Sequence, residues 1–268
     1  MGNDRLSARF KRYGAYAMVT GASEGIGRCF AEELAKAGMN VVLVARREDR
    51  LNALAKDLEA RYAVLCPVIT TDLSNEAQLD KLIEITDSLD IGLLVCNAGF
   101  GTAGNFLDRA IETEMNMLRV NCAALTRLVH HFGRKFKNKG AGGVVLLSSI
   151  VATQGVARSA HYAASKAYVQ TLGEGLQQEW RGSGLDLLLV APGPVETGFA
   201  RRSQMRLGRA ASPQVVAVQS LQALGRQNTI HPGGLAKLMA LALATAPRFL
   251  RVKIMSTIMG SMTRHLPH

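Results

Sequence analysis

The chain has 268 residues, 48% of them hydrophobic and 20% charged, enough to bury the core of one α/β domain without disulfides or metal. Its four cysteines, at 29, 66, 96 and 122, fall in or beside apolar runs far apart in sequence; they read as free buried thiols of a reducing compartment, and no metal-ligand spacing is present. The formal charge of +11 comes from scattered basic residues with few aromatics among them, which sets aside a nucleic-acid partner in favour of a solvated basic surface, although a phosphate-bearing cofactor, an acidic substrate carrier or an anionic membrane surface would each benefit from that field.

Residues 1–13 form a polar, basic arm with no apolar core, so no signal peptide is visible and a cytoplasmic location is the default. Between Tyr13 and Thr257 nothing reads as linker, repeat or low-complexity segment, and residues 14–268 are expected to be one domain. Tyr16–Thr20 is a short buried strand, followed by Gly21-Ala22-Ser23-Glu24-Gly25-Ile26-Gly27 and then by Ile26, Phe30 and Leu34 at helical spacing. Strand, glycine loop and helix make the dinucleotide-binding layout: glycines let the backbone approach a pyrophosphate, and the helix amino terminus offers free N–H groups. Further apolar runs at 40–45, 64–69, 91–96, 143–148 and 185–190, with a short one at 228–231, alternate with helical stretches. That alternation predicts an α/β fold, a Rossmann-like doubly wound parallel sheet with helices on both faces.

The fifth run ends in Ser148 and Ser149, placing hydroxyls at the carboxyl end of a strand, where open α/β sheets put their ligands. Thirteen residues on stands Tyr162, and Lys166 follows it at a spacing that puts both on one helix face. An ammonium beside a phenol favours the phenolate, which makes an acid/base tyrosine usable near neutral pH. Leu235–Ala246 is too short to span a bilayer and is interrupted by Pro247. Beyond it, Ile254, Met255, Ile258, Met259 and Met262 recur near one helical turn between Arg251, Lys253 and Arg264. For this apolar, basic tail, about residues 235–268, a subunit contact, a hydrophobic substrate rim and a membrane-surface contact are all open.

Four motifs in one order and spacing give the chain its likeness: Thr20-Gly21-x-x-x-Gly25-Ile26-Gly27, Asn97-Ala98-Gly99, Ser149 with Tyr162-x-x-x-Lys166, and Pro192-Gly193. Through them the chain resembles the short-chain dehydrogenase/reductase family, strongly over residues 14–200. It is similar to the NADP-preferring carbonyl, acyl-chain or hydroxysteroid reductase members. The resemblance implies Tyr162 as proton donor or acceptor, Lys166 on the nicotinamide ribose, Ser149 on the substrate oxygen, and Asn121 fixing a water in a proton relay. For the cofactor it implies Thr20, Gly21, Gly25, Ile26 and Gly27 around the pyrophosphate, the Ser23 hydroxyl on the 2′-phosphate, and Asp72 and Leu73 beside the adenine. Asn97, Ala98 and Gly99 would lie under its ribose, with Pro192, Gly193, Val195 and Thr197 at the nicotinamide. Ala45 stands where NAD-preferring relatives carry an acid, and Arg46 and Arg47 follow it, so NADP(H) is favoured over NAD(H). Glu24 departs from the basic residue that some NADP-preferring relatives carry there.

Residues 198–213 would form a substrate lid, its Arg201, Arg202, Arg206 and Arg209 meeting either an anionic substrate or only solvent. The expected function is an NADPH-dependent oxidoreductase for a ketone, an aldehyde or a secondary alcohol with a hydrophobic body, acting as a homodimer or homotetramer. A sugar or polyol dehydrogenase and a non-catalytic NADPH-sensing regulator are the alternatives.

Overall fold

Strands β1 (Tyr16–Thr20), β2 (Asn40–Ala45), β3 (Val68–Thr70), β4 (Ile91–Cys96), β5 (Gly142–Leu147), β6 (Leu185–Val190) and β7 (Thr229–Ile230) form one parallel sheet in the order β3-β2-β1-β4-β5-β6-β7. The structure is a computed structural model that describes residues 9–203, 205–206, 208 and 210–266. Residues 1–8 of the expected arm, Arg209 of the expected lid, the last two tail residues and the side chain of Arg201 lie outside that description.

Alternate strand residues face opposite layers, as the period of two requires. Val19, Leu43, Val95, Val145 and Val190 pack under the helices Gly25–Lys36 and Pro213–Ala223. Met18, Val44, Leu94, Leu146 and Leu189 pack under Glu76–Asp87, Leu125–Lys139 and Ala160–Glu179. Both faces are therefore covered, and the strands read as continuous apolar runs because neither face meets water. The sheet is the doubly wound one expected.

Three boundaries differ from expectation. The third strand is three residues long and begins after Pro67, which has no N–H to donate. Leu65 and Pro67 still accept bonds from Val41 (2.9 Å) and Leu43 (2.8 Å) through their carbonyls. The fifth strand starts and stops one residue earlier than expected, and the seventh shrinks to two residues before Pro232. The end of the arm is not simply polar, since Phe10 and Tyr13 are fully buried and the Tyr13 hydroxyl donates to Asp186 at 2.6 Å. Two aromatics among basic residues bury their rings while Lys11 and Arg12 stay exposed and Arg9 is half-buried.

A third apolar cluster lies beyond the carboxyl ends of the strands. It joins Ile150, Val151, Tyr162 and Ala163 to Leu243, Met255 and Met259, so the helices Gly234–Ala244 and Arg248–Met262 fold back over this end of the sheet.

Candidate active site

Between β1 and β4 the strand order reverses, and a cleft of about 510 Å3 opens there. Such a switch point is where open α/β sheets bind ligands. The glycine loop forms one end. Gly25 sits at φ +58, a left-handed conformation that a side chain disfavours. A Cβ on Gly27 would collide with the Gly21 carbonyl of the loop itself and with the side-chain Nδ2 of Asn97, which follows β4. Thr20 is buried behind them, its Oγ1 accepting from Asn97 N (3.1 Å) and Ala98 N (3.0 Å). Gly21, Ser23, Gly25, Ile26, Asn97, Ala98 and Gly99 line the cleft, whereas Thr20 and Gly27 do not. Those two shape the loop from behind. A backbone cradle at a helix amino terminus fits a pyrophosphate.

Basic residues flank the loop. Arg46 and Arg47 both line the cleft. Arg47 donates to Ser23 Oγ at 3.2 Å and pairs with Glu24 at 2.8 Å, and Glu24 also pairs with Arg50 (3.1 Å) and Arg202. Burial alone would raise the Glu24 carboxyl, but the bond from Arg47 and the charges of Arg202 and Arg47 overcome it and hold the group below its usual range. Sequence reasoning saw Glu24 as a departure and missed this cluster, because Arg202 is far along the chain. Asp72 also lies on the cleft; against burial, two bonds from Ser74 (3.0 and 2.7 Å) keep its carboxyl low, with Arg46 nearby.

The helix Ala160–Glu179 begins beside the end of β5 and carries Tyr162 and Lys166 into the cleft floor, 9% and 6% exposed. Ser149, two residues past β5, stands beside the Tyr162 phenol and favours its ionised form, its Oγ accepting from Val151 N at 3.4 Å; Ser148 instead points its Oγ at the Lys166 carbonyl. Lys166 Nζ donates to the Leu147 carbonyl at 2.7 Å and stands 5.9 Å from the centre of the Tyr162 ring. Burial pushes the phenol up to about 12, opposed by Ser149, and pushes the ammonium down to about 8. The expected depression of the phenol by the ammonium does not emerge within the chain itself, where the cost of burying charge is opposed by Ser149 alone. At neutral pH the pair is phenol and ammonium.

Asn121 lies behind this pair, off the cleft surface, in a π-helical turn at Arg119–Ala124. Its Nδ2 donates to the Phe100 carbonyl (2.9 Å) and Ser165 Oγ (3.0 Å), and its Oδ1 accepts from Phe100 N (3.1 Å). The side chain is committed to holding the 100-loop against the Tyr162 helix. Ser165, which bridges them, carries no sequence signal beyond its place between Tyr162 and Lys166.

Pro192, Gly193, Val195 and Thr197 follow β6 along the cleft wall. The segment expected as a lid contains a short helix at Gly198–Arg202 that brings Phe199 against Tyr162, ring centres 5.3 Å apart. Val195 pairs with Ala211, and Arg206 N donates to the Met262 carbonyl at 2.9 Å, tying this segment to the tail. The lining beside Tyr162 is apolar: Phe199, Met205, Met239, Met255, Met259 and Met262. Of the tail residues singled out by spacing, Met255, Ile258, Met259 and Met262 line the cleft while Ile254 faces out.

Residues 15–207 match the short chain dehydrogenase family. The chain is 31% identical over 229 residues to a 7beta-hydroxysteroid dehydrogenase of Clostridium sardiniense, covering 84% of this chain and 88% of that one. It is 32% identical over 231 residues to the human inactive hydroxysteroid dehydrogenase-like protein 1, covering 82% and 70%. Among solved structures it is similar to a short-chain dehydrogenase from Sphingobium yanoikuyae in complex with NADPH. That match has a TM-score of 0.79 and 31% identity, covering 85% of this chain and 92% of the other.

Proposed function

The chain belongs to the short-chain dehydrogenase family, and from that premise we propose that it is an NADPH-dependent reductase of ketones with a bulky hydrophobic body of about steroid size. One observation carries this reading: Ser149 and Tyr162 line a cleft together with a cluster of methionines and phenylalanines that packs about Tyr162. Methionine is unbranched and polarizable, and it moulds itself to large apolar bodies. A sugar or polyol would find few partners in that cluster.

Gly21, Gly25 and Ile26 hold the pyrophosphate, Ser23, Arg46 and Arg47 the 2′-phosphate, Asp72 and Leu73 the adenine, and Asn97, Ala98 and Gly99 its ribose. Lys166 takes the nicotinamide ribose, and Pro192, Gly193, Val195 and Thr197 its carboxamide side. The bound nicotinamide supplies the hydride. Ser149 Oγ donates a hydrogen bond to the ketone oxygen and stabilises the charge growing there. Tyr162 Oη donates its proton to the same oxygen, a role that suits a group held fully protonated at neutral pH. The ammonium of Lys166 favours the phenolate left behind. Asn121, which holds the 100-loop against the Tyr162 helix, would fix the water that returns the proton from behind Lys166. Burial of Tyr162 and Lys166 keeps bulk water from these groups.

The human relative called inactive keeps the regulator reading in view. Retention of Ser149, Tyr162 and Lys166 speaks against it, since binding a cofactor needs neither hydroxyl. The test is NADPH oxidation by the purified chain against steroidal ketones, small ketones, aldehydes, acyl thioesters and sugars. Turnover with the bulky ketones supports the proposal; turnover with sugars alone, or NADPH binding without turnover of any of them, rejects it. We place the enzyme in the cytoplasm as a homodimer or homotetramer, which light scattering checks.

A further inference from the structure

Every Asp and Glu of the chain lies at or before Glu196, and ten of the 32 Lys and Arg lie after it. The net charge of +11 is thus held almost entirely by the last quarter of the sequence. This quarter also builds the helices Gly234–Ala244 and Arg248–Met262, whose outer face shows Leu238 (65% exposed), Leu241 (68%) and Phe249 (74%) along with Leu235, Leu250 and Ile254. Lys237, Arg248 and Lys253 stand exposed among them. Another exposed apolar group, Phe106, Leu107, Ile111 and Met115, has Asp108 and Glu112 within it and lacks this one-signed field.

We infer that the outer face of these two helices is a docking surface for an anionic lipid bilayer. Large side chains projecting from a surface, interleaved with cations on a segment whose sequence carries no Asp or Glu, are what an interfacial helix presents to acyl chains and anionic headgroups. A second copy of the chain fits poorly, because a two-fold interface sets the same patch against itself and would bring like charges together. Among the described residues no helix is long and apolar enough to cross a membrane, so the contact lies in the surface plane. The inner side of the same helices supplies Met239, Met255, Ile258, Met259 and Met262 to the cleft. Docking therefore sets the apolar wall of the cleft about one helix diameter, ~10 Å, from the bilayer.

The test is co-sedimentation of the purified full-length chain with vesicles of phosphatidylcholine alone or mixed with phosphatidylglycerol, which needs no turnover and stands apart from the proposed reaction. The anionic vesicles should carry at least about tenfold more protein than the neutral ones and release it at high salt. The Leu238→Asp, Leu241→Asp double variant and the Lys237→Ala, Lys253→Ala double variant should each lose about tenfold of that binding. Both should keep the wild-type melting temperature and NADPH affinity; if the aspartates impair folding, the alanine pair decides. Absence of vesicle binding, equal binding to both vesicle types, or full retention by the alanine pair overturns the inference. So does binding to polyglutamate without vesicle binding, which assigns the face to an acidic protein, and so does a fall in subunit count in either variant, which assigns it to a second copy.

Discussion

Glu24 holds Arg47 at 2.8 Å with a carboxylate that also binds Arg50 and Arg202, so one of the two cations proposed for the 2′-phosphate is already paired. Replacing Glu24 with Gln leaves the shape and removes the charge that competes with the phosphate for Arg47. The Michaelis constant for NADPH should fall severalfold while that for NADH changes little, as read from initial rates with each cofactor. A rise for NADPH would mean that Glu24 organises the arginines and does not compete for them.

Arg46 lines the same cleft from an exposed position. Arg46→Ala should raise the Michaelis constant for NADPH at least about tenfold more than that for NADH, roughly 1.4 kcal/mol of discrimination. Equal changes would make Arg46 structural and reopen the choice of cofactor.

Gly27 is set by contact and not by a turn. Gly27→Ala places a methyl group against the Gly21 carbonyl and the Asn97 side-chain amide, whose Nδ2 is held by the Thr20 carbonyl at 2.9 Å. A loss of about 1–3 kcal/mol is expected, with weaker NADPH binding. Denaturant melts and a fluorescence titration measure both; an unchanged midpoint would show that the loop relaxes freely.

Lys166 gives the fold a pH signature. Its folded value is lowered from 10.5 to about 8, so between those limits the unfolded chain binds more protons and stability climbs with pH. Tyr162 works the other way higher up: its value is raised from 10.0 to about 12, and stability falls as pH rises across that window. Lys166→Met should flatten the climb between pH 8 and 10.5 in urea melts of the chain without cofactor. A slope identical to that of the wild type would place the buried ammonium elsewhere.

The sheet was legible because its strands are buried on both faces. Four of them, 16–20, 40–45, 91–96 and 185–190, have the bounds that their apolar runs indicate. The third was misjudged because burial and pairing part company at Pro67: the residues before it are apolar enough for a strand but cannot complete the ladder. Ser149, Tyr162 and Lys166 were legible from spacing, since a strand end and one helix turn fix their separation. The Glu24 cluster was not, because pairing across 178 residues leaves no local pattern. Nor could spacing separate Thr20, Gly27 and Asn121, which act from behind the surface, from neighbours that line the cleft. The tail methionines were visible as a helical stripe, but only the fold-back of the last two helices shows that the stripe faces the cleft.

The account turns on the phenol of Tyr162, and the direct measurement is turnover of a bulky ketone by Tyr162→Phe beside an NADPH titration of the same sample. The ring and its contact with Phe199 remain and only the transferable proton is lost. Turnover should drop by at least about 100-fold, the usual scale of general acid catalysis, with the NADPH dissociation constant within about twofold of wild type. A variant retaining more than about a tenth of wild-type turnover, a loss below that scale, would contradict the assignment of Tyr162 as the proton donor.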